Sequence, residues 1–439
     1  MASEQVMNAA DPDAEPPARP PGGLLRNGDF VRLWTGQSVS LMGTQVTLFT
    51  LPLVAILTLH ASVLQVGILN AMRLAPVVVV ALIAGVWLDA HRRRPVLVTC
   101  ALCCTVLIAL VPIGGTAGFL SMGLLYAVAA VVGGLNVVFD VGSLSYVPGL
   151  VEPRHLPEAN GKLQASNAVA GVSGPAIAGA LVGLITAPVT LSVDAVSYLF
   201  SAAGLLSIRR HEPAPEPPEQ QISVGRQIAE GFRAVYGSKL LRALLTQTAA
   251  LNLSYGAFYT VFLVYAVRVL GLTPLKLGFV VGSGSVGALL GALLASRGRL
   301  ALGMGRNMGV ATIGASGALL LVLIPHNASV SGLLVMMAGQ VIYGAGVVNL
   351  SVNGITLRQI VTPRRVLARM NATYRMLLFG APPLGSVIGG VLGTALGLRL
   401  ALLISLLALT SPMLWLLFSP VFRLREMPSG PDDAIVADG

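Results

Sequence analysis

The second half of this chain repeats the first at a fixed offset, inside a sequence made almost wholly of apolar runs. Pro153-Arg154 recurs as Pro363-Arg364, Gly179 and Gly183 as Gly389 and Gly393, and Arg32 and Gln37 as Arg242 and Gln247. Each pair differs by 210 (363 − 153, 389 − 179, 247 − 37). An apolar run of roughly 20 residues crosses a bilayer core as a helix. The predicted spans are 33–57, 65–88, 95–113, 118–146, 161–186, 189–208, 240–267, 275–295, 306–324, 330–352, 368–396 and 399–418. Of the 439 residues, 55% are hydrophobic and 10% charged, and the mean hydropathy is +0.80. That is too little polar surface to face water, so lipid covers the chain. The expected fold is an all-α membrane protein with twelve transmembrane helices in two pseudo-symmetric six-helix bundles. A parallel repeat of this kind is a common way to build an alternating-access carrier.

Orientation is read from Lys and Arg, which gather in cytoplasmic loops. With both termini inside, 23 of the 28 basic residues fall on the inner side. Three (Arg268, Lys276, Arg399) fall outside, and two (Arg73, Arg375) within helices. The net charge of +10 is thereby a matter of topology, and no nucleic-acid partner is expected. Residues 1–29, rich in Pro and Ala, read as a disordered cytoplasmic tail, and 421–439 as a second one. Between the bundles at 30–208 and 240–420 lies a cytoplasmic linker, 209–239. Its Pro-Ala-Pro-Glu-Pro-Pro run (213–218) cannot continue a helix. Val224, Ile228, Phe232 and Val235 after it predict an amphipathic helix over 223–238. Cys100, Cys103 and Cys104 are too few for a disulfide framework or zinc site and read as packing residues, so no metal or cofactor is expected.

Three patches carry a family resemblance. Gly85-Val-Trp-Leu-Asp89-Ala-His-Arg92-Arg93-Arg94-Pro95 lies between the second and third spans. Gly171-Val-Ser-Gly174-Pro175-Ala-Ile-Ala178-Gly179 lies in the fifth. The junctions Tyr146–Asn160 and Val361–Asn371 form the third, with Asn371-Ala-Thr-Tyr-Arg375 entering the eleventh span. From Asp29 to about Phe418 the chain resembles the major facilitator superfamily. Within it, the chain resembles the drug and metabolite proton-antiporter branch of macrolide-efflux and enterobactin-export proteins. The resemblance implies that Asp89, Arg93 and Arg94 act in gating as a latch of the inward-closed state. It also implies gating by bending and close contact at Gly171, Gly174, Pro175 and Gly179, a pattern that favours exporters. Ala90 and Arg92 depart from the first pattern and Ala178 from the second, while Ser296-Arg297-Gly298-Arg299 in the other half lacks the acid.

Polar groups in membrane helices are costly and tend to face a wet cavity. Gln37, Thr44 and Gln45 lie on the first span; Tyr126, Gly133, Asn136 and Asp140 lie along one side of the fourth. On the seventh, Thr248, Asn252, Tyr255 and Tyr259 form one stripe at spacings of 4, 3 and 4 (252 − 248, 255 − 252, 259 − 255). The tenth carries Tyr343, Asn349 and Asn353. In the resembled family, these four helices line the substrate path. Gln37, Thr44, Tyr126, Asn136, Asn252, Tyr255, Tyr259, Tyr343, Asn349 and Asn353 are therefore candidates for substrate binding, unless the tyrosines serve only helix packing. Asp140 is the candidate proton-coupling acid, or else a solvated residue near the inner face. Arg73 is grouped with it, either pairing with an acid, binding an anionic substrate or snorkelling outward. Arg375 is assigned to gating, with snorkelling or structural pairing as alternatives, and Asp194 to structure.

The expected function is proton-coupled efflux of a small amphipathic drug or secondary metabolite across a bacterial inner membrane. The partners are the substrate, protons and lipid, and the carrier is a monomer. The alternatives are a facilitator or proton symporter importing a nutrient, and a non-transporting membrane receptor. No enzyme is expected, and the absence of a phosphate-binding loop excludes direct ATP drive by this chain.

Overall fold

A computed structural model describes residues 24–210, 212, 233 and 235–424. The helices of the first half are α1 (Gly28–Leu53), α2 (Val63–Asp89), α3 (Arg93–Ala117), α4 (Met122–Leu150), α5 (Leu156–Leu184) and α6 (Ala187–Leu206). Those of the second are α7 (Lys239–Arg268), α8 (Pro274–Leu302), α9 (Met304–Ala318), α10 (Val330–Val361), α11 (Arg364–Leu396) and α12 (Leu398–Ala408). Two short helices follow, α13 (Ser411–Leu417) and α14 (Pro420–Arg423). Among the described residues, eleven helical segments are long and apolar enough to cross a membrane; α12 is shorter. No strand occurs among the described residues. The fold is all-α and multi-pass, in two six-helix halves.

The repeat is visible in the helix starts: 28 and 239, 63 and 274, 93 and 304, 122 and 330, 156 and 364, 187 and 398 differ by 208 to 211. It is visible in the caps as well. Asn27 and Ser238 open α1 and α7, Ser62 and Thr273 open α2 and α8, and Ser121 and Ser329 open α4 and α10. Each side-chain oxygen takes an otherwise orphaned N–H of the first turn. Ser62 and Gln65 complete a reciprocal capping box.

Packing obeys the same symmetry. In the first half α1 lies on α5 and α6, and α2 on α4; in the second α7 lies on α11 and α12, and α8 on α10. The halves meet along two equivalent seams, α2 with α11 and α5 with α8. Glycines let the backbones touch there: a Cβ at Gly67 would overlap the Ser386 carbonyl, and one at Gly278 the Pro175 carbonyl.

Several boundaries differ from the predicted ones. Helix α4 starts at Met122 and not at 118, because Gly118 adopts φ +82° and ends α3. Helix α10 continues nine residues past 352 to Val361. The predicted last span breaks near Thr410, where Pro412 has no N–H to offer the Ala408 carbonyl. The Ser411 hydroxyl bonds that carbonyl at 2.7 Å, and the Thr410 hydroxyl bonds that of Leu407 at 2.6 Å. Folded chain extends beyond 30–420 at both ends. Leu24 is buried in a 3₁₀ turn, α1 begins at Gly28, and Leu424 accepts a bond from the Gly305 N–H. The predicted linker helix at 223–238 lies outside the described residues except for its last few positions.

Candidate functional site: a gap between the halves

Arg92, Arg93, Arg94, Arg154 and Arg297 lie at one end of the bundle, here called the basic end. Arg268, Lys276 and Arg399 lie at the opposite end. That opposite end is sealed. The first turns of α2 sit on the last turns of α11, with Gly390 against Leu64 and Gly393 against Val63. The Arg268 guanidinium donates to the Ala61 carbonyl at 2.7 Å, and the Asn70 amide to Thr260 at 3.3 Å.

Below the seal, a cavity of about 560 Å³ is lined from both halves. Its polar wall comprises Gln45, Asn70 and Arg73 on one side and Asn252, Tyr255, Tyr259, Gln340 and Tyr343 on the other. A second space of about 480 Å³ shares Val347, Leu378 and Phe379 with it and continues past Asn371 and Arg375 towards the basic end. The two make one path of a size that suits a small organic molecule.

The tyrosine stripe of α7 forms much of this wall. Residues 255 and 259 are one turn apart and share a face. The Tyr255 ring lies parallel to that of Tyr343, with centroids 4.8 Å apart and planes at 10°, and Tyr259 is 5.9 Å further along. Among the described residues, Arg73 is the sole charged one lining the central cavity. Its Nε is buried without an acceptor, and it belongs to no ion pair.

Asp140 is exposed, ten residues before the end of α4 (150 − 140), and Arg375 is exposed eleven residues into α11 (375 − 364). At 1.5 Å per residue, each lies about 15 Å in from the basic end. Arg375 is the cation whose field reaches the Asp140 carboxyl, from the opposite half and without an ion pair. Arg73 is not its partner.

Other predicted site residues point elsewhere. Thr44 and Asn136 are bonded to the Tyr198 hydroxyl, at 3.2 and 2.7 Å, inside the first half. Asp194, on α6, is fully buried beside this cluster. It accepts from Ser197 at 3.0 Å through one oxygen and has no partner for the other. Gln37 accepts from Ser143 at 3.1 Å, and the Tyr126 hydroxyl donates to the Gln65 carbonyl at 3.3 Å. Asn349 and Asn353 join Asn307 in a buried amide network between α9 and α10. The predicted amides Asn136, Asn349 and Asn353 thus serve the bundle interiors, while the gap takes its aromatic wall from α7 and α10 and its charge from Arg73 of α2.

The predicted gating residues other than Arg375 separate into two places. Gly171, Gly174, Pro175 and Gly179 come together on α5. Gly174 lies under Gln45 of α1, the Gly171 carbonyl accepts from Ser285 at 2.8 Å, and Pro175 and Gly179 meet Gly278 and Pro274 of α8. Arg93 and Arg94 lie at the basic end. Their N–H groups, opening α3, are capped by the Glu212 carboxylate at 2.7 and 3.0 Å. The Arg94 side chain bonds the last carbonyls of α6, Leu205 and Leu206, at 2.9 and 2.7 Å. Asp89 ends α2, and its side chain is outside the described ones.

Sequence reasoning missed Asn70, Gln340, Arg358 and Glu212. Two carried a signal. Asn70 is three residues from Arg73 and Gln340 three from Tyr343, which places each on its neighbour's helix face. Glu212 carried none, since its contact is with a helix start 118 to 119 positions away in the chain.

Comparison with known proteins agrees with this architecture. Residues 21–435 match the family described as transmembrane secretion effector, MFS_3. An uncharacterized MFS-type transporter, y4rN of Sinorhizobium fredii, is 26% identical over 271 residues. The match covers 60% of this chain and 65% of that protein, so it spans less than two thirds of the relative's length. Among solved structures, a bacterial homologue of the iron transporter ferroportin in its inward-facing state aligns with TM-score 0.66 at 18% identity. It covers 90% of this chain and 99% of that one. The same homologue facing outward aligns at 0.55 and 17% identity, covering 89% and 98%. The nucleoside transporter NupG aligns at 0.71 and 12% identity, covering 89% and 97%. At such identities these likenesses speak to the fold alone.

Proposed function

Because the chain belongs to the transmembrane secretion effector family and is a membrane transporter of the major facilitator type, we propose that it exports a small amphipathic molecule in exchange for protons. The basic end is cytoplasmic by the charge rule, which puts both termini inside a bacterial inner membrane and makes the described state inward-open. The observation that carries the reading is the gap itself: walled by both halves, sealed at one end and continuing towards the other past Asn371 and Arg375. Substrate enters from the cytoplasm and rests against the tyrosines of α7 and α10. The halves then turn about the α2–α11 and α5–α8 seams, with 30–208 and 240–420 as the moving bodies and 209–239 as their tether.

Asp140 couples the proton. When the cytoplasmic mouth closes, its carboxylate meets Arg375 at equal depth and the ion pair latches the outward-open state. A proton arriving from outside neutralises Asp140, releases Arg375 and lets the mouth reopen. Substrate and proton then favour opposite conformations, which is what exchange requires. Asp89 with Arg93 and Arg94 adds a second latch at the α2–α3 loop.

Inverted membrane vesicles with a respiration-acidified lumen test this, with acridine orange as the pH probe. Pulses of erythromycin, 2-naphthoate or 2-naphthamide are added. At least one pulse is expected to dissipate part of the gradient in vesicles containing the protein and not in empty ones, with the response lost in Asp140→Asn. Movement of a labelled compound that ignores a protonophore would replace exchange by facilitated diffusion.

A further inference from the structure

We infer that the molecule carried is an organic anion with a flat ring, its acidic group on Arg73 and its ring on the Tyr255–Tyr343 platform. This rests on reading the gap as the transport site. Among the described residues the central cavity has one charged wall residue, the cation Arg73; on its other side Arg73 borders a space of about 30 Å³ with Asp194, with which it forms no ion pair. A guanidinium stays protonated in any protein setting, so its charge cannot be shed by titration. Among the described residues neither a hydrogen bond nor an ion pair holds it, and its Nε is buried and unpartnered.

Snorkelling does not relieve it. Arg73 is ten residues into α2 (73 − 63), about 15 Å from the helix start. The turns between it and the nearer membrane face are covered by α11 at Gly67, Leu64 and Val63. A positive charge left unpaired at mid-bilayer depth is costly, and the missing half of the pair is what the cavity is shaped to receive. A cationic guest would meet only repulsion, and a neutral one would leave the guanidinium as it is.

The second half of the inference comes from the ring wall. Tyr255 and Tyr343 stack parallel at 4.8 Å. The hydroxyls of Tyr255, Tyr259 and Tyr343, all on the cavity wall, make no hydrogen bond among the described residues, so each is free to bond a guest. Tyr259 lies within the field of Arg73, so the acidic group and the ring are recognised side by side. A cavity of about 560 Å³ with this aromatic wall is far larger than an inorganic anion needs.

The test is binding to the purified full-length protein in detergent, by intrinsic fluorescence, with three ligands on one ring: 2-naphthoate, 2-naphthamide and 2-naphthamidinium. Naphthoate is expected to bind about thirtyfold more tightly than the amide, and the amidinium not at all. Arg73→Gln should erase the preference for the acid without lowering the melting temperature of the free protein, and Arg73→Lys should keep part of it. Tyr255→Ala should weaken acid and amide alike. Equal binding of acid and amidinium, an acid preference that survives Arg73→Gln, or no binding by any of the three would overturn the inference. Since binding in detergent involves no gradient, its failure is distinct from a failure of proton exchange in vesicles.

Discussion

Tyr374 holds two neighbours at once. Its ring lies 3.4 Å beneath the buried Arg358 guanidinium, and its hydroxyl contacts Thr248 of α7. Tyr374→Phe keeps the ring and should cost about 1 kcal/mol, the net worth of one hydrogen bond. Tyr374→Leu also strips the cation of its aromatic face and should cost about 3 kcal/mol. Thermal unfolding in detergent separates the two; equal losses would mean that the ring does not support Arg358. Asp140 and Arg375 call for a different experiment, because their proposed contact belongs to the opposite state. Asp140→Arg or Arg375→Asp alone should cut flux at least tenfold, since each places like charges at the closing mouth. The double exchange should restore part of it, and a double variant no better than either single one would remove the latch. The spacing of Asn252, Tyr255 and Tyr259 revealed which residues share a face, and they do line the gap. The same spacing logic could not separate Asn136 or Asn349 from them. Periodicity relates residues on one helix, whereas the choice between gap and bundle interior is made by neighbours such as Tyr198 and Asn307.

Helix starts were legible because the repeat and the caps mark them twice: Ser62 and Thr273, or Ser121 and Ser329, do the same work 211 or 208 residues apart (273 − 62, 329 − 121). Helix ends were less legible. Hydropathy falls at Asn353, Thr356 and Arg358, so the tenth span reads as finished by 352. In the structure the Asn353 amide nitrogen donates to Asn349 and Arg358 lies on Tyr374, so the helix continues past 352, although the Asn353 amide oxygen is buried without a partner. Which helices face each other across the seams is also absent from the apolar pattern, because lipid-facing and seam-facing surfaces are equally apolar. Small residues are the remaining trace, as at Gly179, where a Cβ would overlap the Pro274 carbonyl. Gly179→Leu should therefore wedge the sealed end apart. Overpacking costs about 1–3 kcal/mol, enough to move the state populations by about tenfold or more. Spin labels at His60 and Leu396 report on the other seam, far from the substitution, in a background without the three native cysteines. Their separation should lengthen if the halves move as rigid bodies. An unchanged distance would mean that the α5–α8 contact does not control closure.

The two proposals together fix the charge moved in each cycle, which neither does alone. If one proton enters for each organic monoanion that leaves, two positive charges effectively move inward. At about 2.3 kcal/mol per charge per 100 mV, an interior-negative potential of 100 mV favours export by about 4.6 kcal/mol (2 × 2.3). A cation exchanged for one proton moves no net charge and gains nothing from the same potential. The wall agrees with the first case: Arg73, fixed and unpaired, is neutralised by the guest on the loaded stroke. Asp140 and Arg375 neutralise each other while the mouth is shut. Proteoliposomes loaded with labelled 2-naphthoate at equal pH on both sides should therefore release it when a potassium gradient and valinomycin make the interior negative. Those with Arg73→Gln should not. Release that follows a pH gradient but ignores the potential would show that the guest leaves uncharged, and would require the Arg73 charge to be balanced by something other than cargo.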